Sequence, residues 1–155
     1  MIFTNKKDDA QKLQVQLEKE TGTKAEILTG NIEQSVRDKI IDDFRMTTLT
    51  TLISTNVLAR GIDVPEVDLV INYDVPYLST VGWLEPDFAN YLHRVGRTGR
   101  FGTDGVAVTI VDDETKEDMV NQIADYYKIK INKIEGGIDE LKAVIDAMRK
   151  PDDDA

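Results

Sequence analysis

The densest chemistry in the chain lies in Tyr91-Leu92-His93-Arg94-Val95-Gly96-Arg97-Thr98-Gly99-Arg100-Phe101-Gly102-Thr103-Asp104-Gly105. Arg94, Arg97 and Arg100 recur at every third position, and Gly96, Gly99, Gly102 and Gly105 keep the same step. A guanidinium is a planar fork of donors that stays charged and matches phosphate geometry. Interleaved glycines let a backbone turn sharply and approach a ligand closely. The expectation is several fixed positive charges aimed at one polyanion. The competing reading is an ordinary surface loop, in which both residue types are common.

A second polar stretch, Ser54-Thr55-Asn56-Val57-Leu58-Ala59-Arg60-Gly61-Ile62-Asp63, leaves an apolar run and turns. Hydroxyls and free N–H groups at a strand end can hold phosphate oxygens. Asp63 suits a ribose hydroxyl, or else is a turn residue beside Pro65. Arg97 and Arg100 could neutralise a transferring phosphoryl group, a role that contributes about 10³ to 10⁵ in rate. Arg94 divides evenly between an outward role and a salt bridge inside the domain. His93, the only histidine, is either a satisfied structural residue or a partner for a carboxylate across an interface. No Gly-x-x-x-x-Gly-Lys-Ser/Thr loop occurs, so the usual phosphate cradle is missing. Arginine fingers without a cradle imply that the cradle lies on another domain or chain.

Short apolar, β-branched runs must position these groups. Ile2–Thr4, Ala25–Leu28, Leu49–Ser54, Leu69–Tyr73 and Val106–Val111 read as strands covered on both faces. Ile129–Ile134 reads as a further short strand. Helical spacing joins Ala10, Leu13 and Leu17, and again Val36, Ile40, Ile41 and Phe44. Asp87–Val95 is expected to be a helix, with Pro86 at its start and Gly96 past its end. Thr115–Tyr127 and Ile138–Met148 give two more. Thr80–Asp87 reads as a long loop or insertion. Such alternation implies an α/β fold with a mostly parallel sheet and right-handed crossovers. In such sheets ligands bind beyond the carboxyl ends of the strands, where Asn5–Lys6 and Thr55–Asp63 fall.

The 155 residues suit one domain, and 41% hydrophobic content supports an ordinary core. No cysteine and a single histidine exclude disulfide frameworks and argue against a zinc site; no metal ligands are assigned. No apolar stretch reaches membrane-spanning length and no signal peptide is visible, so an intracellular setting without membrane attachment is expected. The net charge of −10 argues against a nonspecific nucleic-acid binder. Yet residues 112–118 hold five acids against Lys116, and residues 135–155 hold seven acids against three bases. Most of the charge therefore sits in two short stretches, and a local positive site on an acidic body is allowed. The abrupt start, straight into an apolar strand, reads as a fragment.

Over residues 1–150 the chain resembles the second RecA-like lobe of DEAD-box RNA helicases, with residues 151–155 left as a disordered acidic tail. Ile2-Phe3-Thr4-Asn5 resembles motif IV, Gln34-x-x-Arg37 the Q-x-x-R element, Thr55–Asp63 motif V, and His93–Arg100 motif VI. The resemblance implies a RecA-like three-layer sandwich and a monomer. It implies that Arg97 and Arg100 contact the γ-phosphate of ATP, with Mg²⁺, held mainly by an N-terminal lobe of the same full-length chain. Asp63 and Gly61 would lie at the ribose, and His93 and Arg94 would couple the two lobes. Asn5, Gly30, Arg37 and Thr55 would contact the RNA sugar–phosphate backbone, making recognition sequence-tolerant. The isolated lobe should lack ATPase activity. Two departures stand out. Thr29-Gly30-Asn31 replaces His-Gly-Asp, and Asn56 stands where many members carry aspartate. Asn56 and the Pro-containing insertion before Tyr91 are similar to the nuclear-pore mRNA-export branch. That branch also binds a nuclear-pore activator together with inositol hexakisphosphate, and works in nucleus and cytoplasm. The other readings are a non-catalytic RecA-like interaction module and the equivalent lobe of a DNA helicase.

Overall fold

The computed structural model describes residues 1–56, 67–99 and 105–149. Its elements run β1 (Ile2–Thr4), α1 (Lys7–Thr21), β2 (Ala25–Leu28), α2 (Gln34–Arg45), β3 (Thr51–Thr55) and β4 (Leu69–Asn72). There follow β5 (Tyr77–Thr80), β6 (Trp83–Pro86), α3 (Phe88–Val95), β7 (Val106–Thr109), α4 (Glu114–Tyr127) and α5 (Gly137–Arg149).

Five strands form one parallel sheet in the order β2-β3-β1-β4-β7. Side chains alternate across it, as a pleated strand requires. Phe3, Leu28, Leu52 and Val70 pack with Ile40, Ile41 and Phe44 of α2 on one face. Ile2, Ala25, Ile27 and Ile53 pack with Ala10, Leu13 and Leu17 of α1 on the other. That two-sided burial explains the near-continuous apolar strands and gives the expected three layers. A third cluster joins α3 and α4 through Tyr91, Met119, Val120 and Ile123.

Local chemistry sets the helix ends. Asp8 and Asp9 sit in the first turn of α1, where the helix dipole favours anions, and Gly22 ends it at φ 69°. Asp113 caps α4 by accepting from the Lys116 N–H at 2.8 Å.

Three expectations need correction. Residues 80–87 are not a loop: β5 and β6 pair antiparallel from Tyr77↔Pro86 to Thr80↔Trp83. Val81 and Gly82 make the two-residue turn, and the φ of 82° at Gly82 is what such a tight turn demands. Pro86 accordingly ends β6 rather than starting α3. The cap is Asp87, whose carboxylate accepts from the Asn90 N–H at 3.0 Å. Finally, residues 129–134 form no strand. Ile131 packs against the α3–α4 cluster instead of a sheet edge. Among the described residues no helix is long and apolar enough to cross a membrane. The expected tail, residues 151–155, lies outside the described residues.

Candidate functional site

Because the sheet is parallel, all five strands end at one edge. The register sets Thr4 beside Thr55 and Phe3 beside both Ser54 and Asn72. Asn5, Asn56 and the Asn72–Asp74 segment therefore emerge side by side. Into this edge α3 sends Arg94, whose side chain is fully buried. Its Nη2 donates to Asn5 Oδ1 at 2.7 Å, and its Nε to Asn56 Oδ1 at 2.9 Å, an oxygen that Nη2 also reaches. Its Nη1 donates to the Asp74 carbonyl at 2.9 Å and reaches Asn72 Oδ1 at 3.4 Å and Asp74 Oδ1 at 3.5 Å. The guanidinium carbon also lies 5.6 Å from the centre of the Phe3 ring, within cation–π range.

The acceptors are tied to one another. Asp74 Oδ2 accepts the Asn5 backbone N–H at 2.8 Å, and Asn5 Nδ2 donates to the Val75 carbonyl at 2.9 Å. Asn56 Nδ2 donates to Asn5 Oδ1 at 3.3 Å. Burial pushes the Asp74 carboxyl above its ordinary range, against the pull of the Asn5 N–H and of Arg94. Burial also lowers the Arg94 pKa to about 10, with Asp74 opposing. Arg94 thus stays charged at neutral pH, and its hydrogen bonds offset the cost of taking that charge out of water.

Of the two readings left open for Arg94, the structure favours the internal one. A side chain with no exposed surface does not reach a second lobe, so the expectation that Arg94 couples lobes by contact gives way to an organising role within this lobe. Sequence reasoning missed Asn72 and Asp74. The available signal was the polar run Asn72-Tyr73-Asp74 closing an otherwise apolar strand.

Beyond Arg94 the chain turns through Gly96 to Gly99. The Arg97 carbonyl accepts the Val67 N–H at 3.1 Å, and Val67 bridges Thr98 in parallel fashion. Gly96 follows α3 as expected, with a right-handed φ of −66°. A Cβ there would fall 2.9 Å from the Leu92 carbonyl. A Cβ on Gly105 would fall 2.1 Å from Thr98 Oγ1 and 2.3 Å from the Gly99 nitrogen. The two ends of the segment carrying Arg100 therefore meet in contact that only glycine permits. Arg97 is 8% exposed and engaged within the lobe. In this arrangement of the lobe Arg94 and Arg97 are both drawn inward rather than held outward. His93, one residue before Arg94, is exposed and borders a cavity of about 420 Å³ with Leu78, Phe88, Leu92, Tyr126 and Tyr127. Arg100, Gly61 and Asp63 lie outside the described residues.

The four residues expected at RNA fall at or near the same edge. Asn5 follows β1, Thr55 ends β3 and is buried, Gly30 follows β2 and is exposed, and Arg37 lies in the first turn of α2. Arg37 Nε is buried with no hydrogen-bond partner among the described residues.

The helicase conserved C-terminal domain family matches residues 1–102. The chain belongs to that family. It is 44% identical over 151 residues to ATP-dependent RNA helicase dbp5 of Botryotinia fuckeliana, covering 97% of this chain and 32% of the relative. The C-terminal domain of the DEAD-box protein Dbp5 superposes with a TM-score of 0.84 at 40% identity, covering 94% of this chain and 80% of that one. S. cerevisiae Dbp5 bound to RNA and ADP BeF3 matches with a TM-score of 0.84, 39% identity and coverage of 96% and 38%. The S. cerevisiae Dbp5 L327V C-terminal domain bound to Gle1 H337R and IP6 matches with a TM-score of 0.80, 38% identity and coverage of 95% and 80%. This lobe is thus a RecA-like C-terminal lobe of the DEAD-box mRNA-export branch, and it spans about a third of the length of the curated relatives it matches.

Proposed function

We propose that this lobe is the second half of an ATP-dependent RNA helicase that remodels RNA or RNA–protein complexes during mRNA export. The observation that carries the reading is the meeting of three sequence motifs at one sheet edge. Asn5, Asn56 and Arg94 touch directly, although Arg94 lies 38 positions from Asn56 and 89 from Asn5. In this reading Arg97 and Arg100 face the γ-phosphate of ATP, and Gly61 and Asp63 face the ribose. His93, already exposed, meets the acidic ATPase motif of the other lobe. Asn5, Gly30, Arg37 and Thr55 line the RNA backbone. Arg37 supports that placement, because a phosphate oxygen would satisfy its unpartnered Nε.

The donor set fits anion contact rather than metal binding. Among the described residues no group of three or more carboxylates and histidines could hold a metal ion. Mg²⁺ would be held with the phosphate cradle of the other lobe and would neutralise phosphate charge there. Residues of this chain bind, orient and exclude water. Arg97 must also leave its buried position when the lobes close, a motion of the kind that gates many such sites.

The solved complexes of Dbp5 with RNA and with Gle1 and IP6 support RNA and an activator with inositol hexakisphosphate as partners of the full-length protein. We assign the full-length protein to the nuclear pore's cytoplasmic face, in traffic between nucleus and cytoplasm; the likeness to Dbp5 bound to Nup159, Gle1 H337R, IP6 and ADP supports a place at the pore. Residues 1–150 would form the lobe and 151–155 a tail.

The test is turnover by the two-lobe protein. Arg97→Ala should lower kcat by about 10³-fold or more, with the circular dichroism of the lobe unchanged. Near-normal turnover in both Arg97→Ala and Arg100→Ala rules out the finger assignment. The burial of Arg97 favours a second reading, a non-catalytic RecA-like module, and the same two variants separate it from the first.

A further inference from the structure

We propose that Asp74 and Arg94 form a latch that fixes the RNA-side loop at Asn5 to the nucleotide-side turn at Arg97, making both of them positioning residues for RNA-stimulated ATP hydrolysis. The proposal rests on the helicase reading above and adds to it the route by which one side informs the other.

The geometry is specific. Asn5 is held at three points: its N–H by Asp74 at 2.8 Å, its Oδ1 by Arg94 at 2.7 Å and its Nδ2 by the Val75 carbonyl at 2.9 Å. It cannot shift toward a bound backbone without moving Arg94 or Asp74. Arg94 in turn opens the turn that carries Arg97, with the Arg97 N–H donating to the Arg94 carbonyl at 3.3 Å. The same guanidinium grips Asn56, whose chain continues toward Gly61 and Asp63. One buried cation therefore joins the motif IV, V and VI segments, with the Asn72–Asp74 strand end as its anchor. A contiguous chain of packed, hydrogen-bonded groups of this kind can carry coupling between two sites.

A purely structural pair would behave differently. Weakening it would lower thermal stability and leave the ratio of RNA-stimulated to basal turnover unchanged. A latch moves that ratio. In the two-lobe protein, Asp74→Asn keeps the shape of the side chain, and Asn56→Ala removes the amide that accepts from Arg94 and donates to Asn5, at a site less buried than Arg94. Both are expected to lower the ratio by about tenfold, within the usual span of coupling between sites. Asn56→Asp, which keeps the oxygen facing Arg94, should retain most of it. Folded variants whose ratio stays within about twofold of wild type, below that span of coupling, overturn the latch. If Asp74→Asn does not fold, the Asn56 pair decides the matter alone. Failure of the latch is distinguishable from failure of the helicase reading. When Arg97→Ala abolishes turnover while Asp74→Asn and Asn56→Ala leave the ratio intact, the helicase stands and the latch falls. When wild type shows no RNA stimulation, both are overturned.

Discussion

The carboxyl edge of the sheet and the β5–β6 hairpin are built on opposite plans. At the edge, polar and charged groups are buried: Arg94 has no exposed surface, and Asn72, Thr4 and Ser54 have none either. On the hairpin, large apolar groups are exposed: Val81 fully, Trp83 at 79%, and Leu78 and Leu84 about half. Each inverts the usual distribution of side chains, which makes each informative. A buried polar network costs stability unless every member is satisfied, so it fixes one arrangement. An exposed apolar hairpin contributes little to folding, so its sequence answers to something other than the core. The contrast can be broken or sharpened by removing groups from each region in turn.

The largest effect should come from Arg94→Ala. It leaves the half-buried Asp74 beside an empty space and strips Asn5 and Asn56 of their shared donor. Breaking a buried pair in this way typically costs about 3–5 kcal/mol, readable as a lowered denaturation midpoint of the lobe in urea. A loss below about 1 kcal/mol, the range of exposed pairs, would mean that the network is far looser than its distances indicate.

That network also marks the limit of what was legible in the sequence. The sheet was readable because two-sided burial writes itself as continuous apolar runs, and the strand ends differed from expectation by only a few residues. Val106–Val111 shortened to Val106–Thr109: the Ile110 N–H makes a last bond to the Asn72 carbonyl of β4, and Ile110 and Val111 are exposed. The motifs were readable because their residues are contiguous. What held them was not. Asp74 lies 69 positions from Asn5 and 20 from Arg94, and only the β1–β4 register brings them together. The hairpin escaped the sequence for a related reason. Its apolar residues do not alternate: the adjacent Trp83 and Leu84 lie on opposite faces and both are exposed, so period-two patterning gave no core to point at. Arg97 reads as outward because an arginine among glycines usually is. The Val67 edge that draws its turn inward sits far off in sequence.

A smaller effect tests the electrostatics of the edge. Burial, the largest influence on Asp74, raises its folded pKa above the unfolded value. The folded state therefore binds more protons than the unfolded state across the acid range. Stability associated with this group is fully present below the unfolded pKa and is lost as pH rises through the folded one. Asp74→Asn removes that titration. Its stability relative to wild type should improve as pH rises from about 4 to 7, a window bracketing ordinary carboxyl values. Paired denaturation curves at the two pH values check this. A relative stability that worsens with pH would show that Arg94, not burial, dominates the carboxyl.

The smallest effect belongs to the hairpin. An isolated two-stranded ribbon is marginal in water, and this one is fastened mainly at its base. Pro76 and Pro86 are fully buried there, and the Asp87 N–H donates to the Pro76 carbonyl at 2.9 Å. Trp83 lies at the other end, next to the Val81–Gly82 turn and opposite Thr80. With 79% of its surface exposed, it has little buried area to lose. Trp83→Ala should therefore change stability by no more than about 0.5 kcal/mol, as surface substitutions do. Pro86→Ala, at the buried base, should cost more. If Trp83→Ala costs as much as a core truncation, about 2 kcal/mol or more, the hairpin is part of the folded core and the contrast between the two regions disappears. If the cost is small, the tryptophan at the tip is not explained by the stability of this lobe.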